Sequence, residues 1–342
     1  MFPGKQLSIA LLALLLCCGL RLNALDLPVS FAWDSANTTS YTPAQNRKEL
    51  AWNEFYRISI GLDSLQCNNF KLNLKLQSYP DFIDNNLEIR DFRLSYQKTA
   101  WEIAAASILT GYGLPNQNHP NHIVSANQDD FLYQEMRFNG LEIAHKTKLQ
   151  RYYLQLGGNV HNQATGILGG SWRSNDNAFA AGVKQEFRAL DTHWRTPVSV
   201  SALFLNFNSD KVIMAGEAAL SYFLEHERTQ AHTGFFAQTE GKFIPNPQAY
   251  LYLSAYCHTL EPKEQLKQRY QLVWHQSVGK LALNPGVALD IVSGISDYQA
   301  FTSVDWFFAP DNRLGFFYRY QDSRNSLNKH TVGIQAAMRY GL

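Results

Sequence analysis

The 342-residue sequence holds 10 histidines and 29 carboxylates, enough for acid–base or metal chemistry if a fold gathers them. His119 and His122 form a His-x-x-His pair within residues 111–137, with Asp129 and Asp130 further along the same segment. A zinc site needs three or four placed ligands. No further spacing signature completes this set, so no metal is expected. His145, His161, His258 and His275 fall on or near extended segments, where an imidazole could activate a hydroxyl. The sequence pairs none of them with a particular serine. Glu217 and Asp305 could form a carboxylate pair. Gly-x-Ser-x-Gly, His-Glu-x-x-His and phosphate-binding glycine loops are all absent. No catalytic, cofactor or metal residue is therefore assigned.

The charged residues obey a different regularity. In "FKLNLKLQS" (70–78), Phe70, Leu72, Leu74 and Leu76 alternate with Lys71, Asn73, Lys75 and Gln77. "FYRISIGL" (55–62), "RYYLQLGGNVH" (151–161), "FAAGVKQEFR" (179–188) and "RLGFFYRYQ" (313–321) alternate in the same way. A period of two is the signature of a strand with unlike faces. No segment shows a convincing 3.6-residue apolar period, apart from residues 7–20.

That apolar run, "LSIALLALLLCCGL", follows Lys5 and precedes "LNA" (22–24), so residues 1–24 read as a secretory signal cleaved after Ala24. Cys17 and Cys18 lie in the run, which leaves Cys67 and Cys257: neither a disulfide framework nor a metal knuckle. Charged residues make up only 17% against 13% aromatics, and the formal net charge is +1. No basic field points to nucleic acid. After residue 24 no run is long and apolar enough for a spanning helix.

Turn chemistry at "SNDN" (174–177), "NSDK" (208–211), "PNPQ" (245–248), "SVGK" (277–280) and "PDNR" (310–313) separates strands at regular spacing. About eighteen strands result, with sixteen the alternative if residues 28–36 are only a tail. Every second connection is brief. The others include longer pieces at 37–50, 111–137, 189–196 and 259–266. Short turns at one end and longer loops at the other is the asymmetry of transmembrane barrels. Residues 25–342 then form one all-β domain, a closed antiparallel transmembrane β-barrel.

The chain end, "HTVGIQAAMRYGL" (330–342), alternates without a break, with Gln335, Tyr340 and Leu342 at positions of a barrel-closing terminal strand. Ala337 stands where glycine is usual, and Leu342 where phenylalanine is. Here the chain resembles the bacterial outer-membrane β-barrel (porin-like) superfamily; no narrower family is identified. The resemblance implies export to the bacterial outer membrane, contact with its lipid, and a terminal strand read by the barrel-insertion machinery. It leaves self-association open.

Within such a barrel, lipid must meet the apolar parity and the lumen the charged one, because a lipid-facing lysine costs ~2–4 kcal/mol at mid-depth. The expected pore-lining residues are Arg57, Lys71, Lys75, Arg93, Glu102, Arg151, Lys184, Glu186, Arg188, Glu217, Arg269, Asp305, Arg319 and Arg339, with Arg90, Lys146 and Arg313 on the same parity. Bases outnumber acids, which favours anions. The porin resemblance suggests that residues 111–137 fold inward, with Asp129 and Asp130 as constriction candidates. Barrels of this size leave an aqueous channel. The expected function is passive diffusion of small hydrophilic solutes, anionic ones among them. The alternatives are a non-conducting barrel in surface-polymer export or assembly, and a barrel hydrolase.

Overall fold

A computed structural model of the chain describes residues 29–43, 48–78, 87–110, 136–159, 164–189, 198–224, 231–259, 266–323 and 328–341. The expected signal segment, His119, His122, Asp129, Asp130 and His161 lie outside the described residues, as do the side chains of Arg57, Arg90 and His258.

Strands carry almost all of the described chain. They are β1 (Val29–Pro43), β2 (Lys48–Cys67), β3 (Phe70–Ser78), β4 (Leu87–Lys98), β5 (Trp101–Thr110), β6 (Met136–Lys146), β7 (Gln150–Asn159), β8 (Ala164–Arg173) and β9 (Phe179–Arg188). They continue with β10 (Ser199–Asn208), β11 (Val212–Leu224), β12 (Ala231–Asn246), β13 (Ala249–Thr259), β14 (Lys267–Val278), β15 (Leu281–Leu283), β16 (Gly286–Val292), β17 (Ile295–Ala309), β18 (Asn312–Ser323) and β19 (Lys329–Gly341).

Apart from β15 and β16, which do not pair with each other, each strand pairs antiparallel with its sequence neighbours, and β1 pairs with both β2 and β19. The sheet therefore has no edge. Both β15 and β16 lie between β14 and β17, so they are two halves of a single stave interrupted at Asn284–Pro285. Proline lacks the N–H that the ladder needs at that point. The nineteen segments thus make a closed antiparallel barrel of eighteen staves.

The connections sort by end. At one end, here the turn end, they are 68–69, 99–100, 147–149, 174–178, 209–211, 247–248, 279–280 and 310–311. Left-handed residues make these turns tight: Asn68 at φ 53°, Thr99 at 56°, Asn177 at 57° and Gly279 at 59°. The longer connections gather at the other, loop end, with the two-residue turn Ser293–Gly294 as an exception there. The long connection expected over 37–50 is corrected: β1 runs to Pro43 and β2 starts at Lys48. Polar Asn37–Thr42 read as loop, yet they are paired with β2, and up to Tyr41 with β19. Staves that extend past the hydrocarbon need not be apolar, so composition there does not report pairing.

Register shifts occur four times among the described residues: between Leu62 and Leu65 of β2, opposite Lys75–Leu76 in β4, between Phe243 and Asn246 of β12 and between Phe307 and Ala309 of β17. The second bulge takes up Arg90, so parity does not assign that residue a face.

Candidate functional site

Burial is inverted relative to a water-soluble protein. Glu102, Glu142, Gln155, Glu186, Arg188, Glu240, Asp290, Asp305 and Gln335 are buried, while Leu141, Leu154, Leu168, Val183, Leu203, Leu220, Val304 and Ile334 are exposed. The two sets occupy opposite parities of the same staves. On β6, for example, Glu142 and Ala144 are buried and Leu141 and Ile143 exposed. Register carries one face around the barrel: Arg93 opposes Ala106, Ala144 opposes Glu102, and Gln155 opposes Glu142. The polar face is the inner one. The outer face is apolar and ends in aromatic belts, with Phe70, Tyr96, Trp101, Tyr152, Trp172 and Trp306 near the turn end and Tyr222, Tyr270 and Tyr298 toward the loop end. Phe70 and Tyr96 pack across β3 and β4 at 5.0 Å, and Trp172 and Phe179 across β8 and β9 at 5.9 Å. At stave ends on the apolar parity, Tyr152, Tyr222, Tyr270 and Trp306 are exposed and Tyr320 is half-buried.

Two groups of inward polar side chains lie toward the turn end. The first spans β4 to β7. Arg93 reaches Glu102 at 2.5 Å and Glu142 at 2.6 Å. Arg151 reaches the same Glu142 oxygen at 2.6 Å, Gln155 donates to its other oxygen at 2.7 Å, and Lys146 bonds Glu102. Two buried carboxylates thus lie among three cations. In low dielectric, ionised groups persist only when paired in this way.

The second group crosses β12 to β19. Lys242 Nζ lies 4.0 Å from the centroid of the Tyr250 ring, and Tyr250 stacks on His275 with centroids 4.3 Å apart. His275 Nδ1 meets Asn284 Oδ1 at 2.6 Å, and its Nε2 meets Ser277 Oγ at 2.8 Å. Asn284 Nδ2 donates to Asp305 at 2.8 Å and to Ser303 at 2.9 Å. Asp305 also accepts from Gln335 at 2.9 Å and has Arg313 at 3.6 Å. Nearer the loop end, Arg269 clamps Asp290 through bonds of 2.6 and 3.0 Å, and Gln299 adds one of 2.9 Å.

Inward aromatics lie flat on the wall. The rings of Tyr153, Phe204, Phe301 and Phe317 occupy the space where a Cβ would stand on Gly169, Gly182, Gly286 and Gly333 of a neighbouring strand. Glycine at these points lets each ring lie down instead of projecting across the barrel.

The register puts the residues expected to line a pore, Arg90 excepted, on one shared parity of the sheet, from Lys71 and Lys75 beside β2 and β4 to Arg319 opposite Phe301 and Thr331. For Arg57, opposite Asp34, this rests on backbone pairing alone. Arg93, Glu102 and Arg151 fall in the first group and Asp305 in the second; Glu186 pairs with Arg188 at 2.6 Å. Glu217 and Asp305 sit on distant staves, β11 and β17, and form no carboxylate pair. Sequence reasoning missed Glu142, Glu240, Asp290, Lys242 and Asn284; it named His275 without a partner and Gln335 only as part of the terminal strand. The parity that marked Glu102 also marks Glu142, between outward Leu141 and Ile143, and Asp290, between Leu289 and Ile291. No comparable signal marks Asn284, which borders the break at Pro285.

No family model matches the sequence, and no curated protein matches it. Solved structures do. OccK1 (OpdK) of Pseudomonas aeruginosa superposes with a TM-score of 0.57 at 8% identity, covering 93% of this chain and 99% of that one. OccK9 (OpdG) of the same organism gives 0.59 at 9% identity, with 93% and 99% coverage. OccK2 (OpdF), crystallised with glucuronate, gives 0.58 at 9% identity, with 92% and 98% coverage. Identity this low establishes architecture: the chain has the closed barrel fold of these outer-membrane porins.

Proposed function

We propose that the protein is a bacterial outer-membrane channel through which small hydrophilic solutes diffuse passively. The inverted burial carries the reading. An apolar outer band between aromatic belts suits hydrocarbon, and a charged inner face suits water. An eighteen-stave barrel is wide enough for an aqueous path. The aromatic rings laid on glycines support an open bore, since upright rings would narrow it. Export through a signal at residues 1–24, insertion directed by the terminal strand, and the periplasmic side at the turn end belong to the same reading. Two of the similar barrels were crystallised with vanillate and glucuronate, both carboxylates.

The proposed ion preference is for anions but weak. Bases outnumber acids among the described inward side chains, yet Glu142, Glu240 and Asp290 reduce the excess, and Arg93, Arg151 and Arg269 are held by carboxylates. Arg319, like Lys71 and Lys242, has no carboxylate partner among the described residues, so it is one of the cations open to a passing anion. Purified protein in a planar bilayer tests the proposal. Steady open steps with a reversal potential on the anion side are expected, and Arg319→Gln should move that potential toward zero. A barrel that inserts but stays sealed overturns the channel and favours the assembly role.

A further inference from the structure

We propose that Ser277, His275 and Asn284 form a serine-nucleophile site on the inner wall at the turn end, able to hydrolyse small water-soluble carboxylic esters. The inference does not rest on the barrel conducting.

The geometry fixes each role. Asn284 commits its amide N–H groups to Asp305 Oδ2 and Ser303 Oγ, so its Oδ1 faces His275 Nδ1. A carbonyl oxygen only accepts, so Nδ1 carries the imidazole proton and Nε2 offers its lone pair. That lone pair meets the Ser277 hydroxyl at 2.8 Å, within reach for a general base. Nucleophile, base and orienting group thus stand in the order that serine hydrolysis requires, whatever the fold.

Exposure divides along the same line. The orienting groups Asn284 and Asp305 are buried at 1% and 0%, whereas His275 and Ser277 are half-buried. Ser277 lies two residues before the Gly279–Lys280 turn, and its backbone N–H is tied to Gln248 O at 2.7 Å. The residue opposite it on β15 is Ala282, a small neighbour that leaves the hydroxyl room. Because this face turns inward, away from the apolar band, the substrate class is a soluble ester and not a membrane lipid.

The chemistry balances with water alone. Ser277 Oγ attacks the ester carbonyl carbon and its proton passes to His275 Nε2. The C–O bond to the alcohol breaks, and the departing oxygen takes that proton. Water then attacks the acyl-serine, gives a proton to His275, and the acid leaves as Ser277 recovers its hydrogen.

A fluorophosphonate probe tests the site on the full folded chain in detergent, with adducts located by peptide mass spectrometry. Labelling of Ser277 is expected, absent in Ser277→Ala and slowed about 100-fold in His275→Gln, the contribution typical of a general base. Asn284→Ala should slow labelling and displace its pH profile, which a purely structural asparagine would not do. Ser277→Cys provides a second reading: its thiol should react faster with iodoacetamide than the same thiol beside His275→Gln. Folding of each variant is checked by heat-modifiable gel migration. An unlabelled Ser277 in the unaltered protein overturns the proposal, as does equal labelling in His275→Gln. Channel conductance, measured on the same preparation, is independent of the labelling.

Discussion

Replacing Glu142 by glutamine should unbalance the wall between β4 and β7. The carboxylate is 1% exposed and accepts from Arg93 and Arg151 at 2.6 Å and from Gln155 at 2.7 Å. Glutamine keeps the volume but leaves both guanidiniums facing a neutral group. Removing one partner of a buried pair typically costs ~3–5 kcal/mol. Two discounts apply. The Arg151 side chain is 37% exposed, so water screens its share. Arg93 retains Glu102 at 2.5 Å. The expected loss is therefore about 2–3 kcal/mol. Equilibrium unfolding in urea, followed by tryptophan fluorescence in liposomes, measures it. A cycle with Arg93→Met isolates the pair, and the double variant should recover about 1 kcal/mol or more of the summed losses. Reversal potentials of Glu142→Gln should also move toward anions, because a negative charge leaves the inner wall. A loss below about 0.5 kcal/mol with no coupling would refute the reasoning, since it would mean that lumen water already screens these charges.

Gly182→Ala should force the Phe204 ring off the wall, lower single-channel conductance and cost ~1–3 kcal/mol through overpacking; unchanged conductance would detach these rings from the bore. Leu168→Arg, at the middle of β8 on a side chain 59% exposed to the outside, should cost ~2–4 kcal/mol in liposome unfolding. In the 174–178 turn, Asp176 is fully exposed, and bonds from the Ser174 hydroxyl and the Ala178 N–H hold its carboxyl below the ordinary value. Its contribution to the turn is complete above that ordinary value and is lost as pH falls through the lowered one. Carboxyl NMR titration should show the midpoint rising in Ser174→Ala.

Strand identity was legible because lipid and lumen alternate along every stave. Leu72 and Lys71, or Leu141 and Glu142, announce their faces one residue apart. What the pattern could not convey was which inward groups meet. Arg93 and Glu142 are brought together by stave order and register, and elsewhere in the sheet bulges shift the register with no compositional mark. His275 and Ser277 could be placed on one face by spacing, but their partner Asn284 comes from the next stave, beside a break made by Pro285. Composition misled at Asn37–Thr42, where wet staves look like loop.

The seam between β1 and β19 joins residues 30–41 to 330–341, and Ser40 hydrogen-bonds Thr331 across 291 positions of chain. Bringing together ends so far apart carries an entropic penalty of about 5 kcal/mol, taking (3/2)RT ln n for the intervening length. No local contact offsets that penalty, so closure of the cylinder is expected after the hairpins have formed. Until then the two rims are bare ladders of N–H and C=O groups. Biogenesis of this chain is thus a problem of chaperoning two open margins until the last dozen residues arrive.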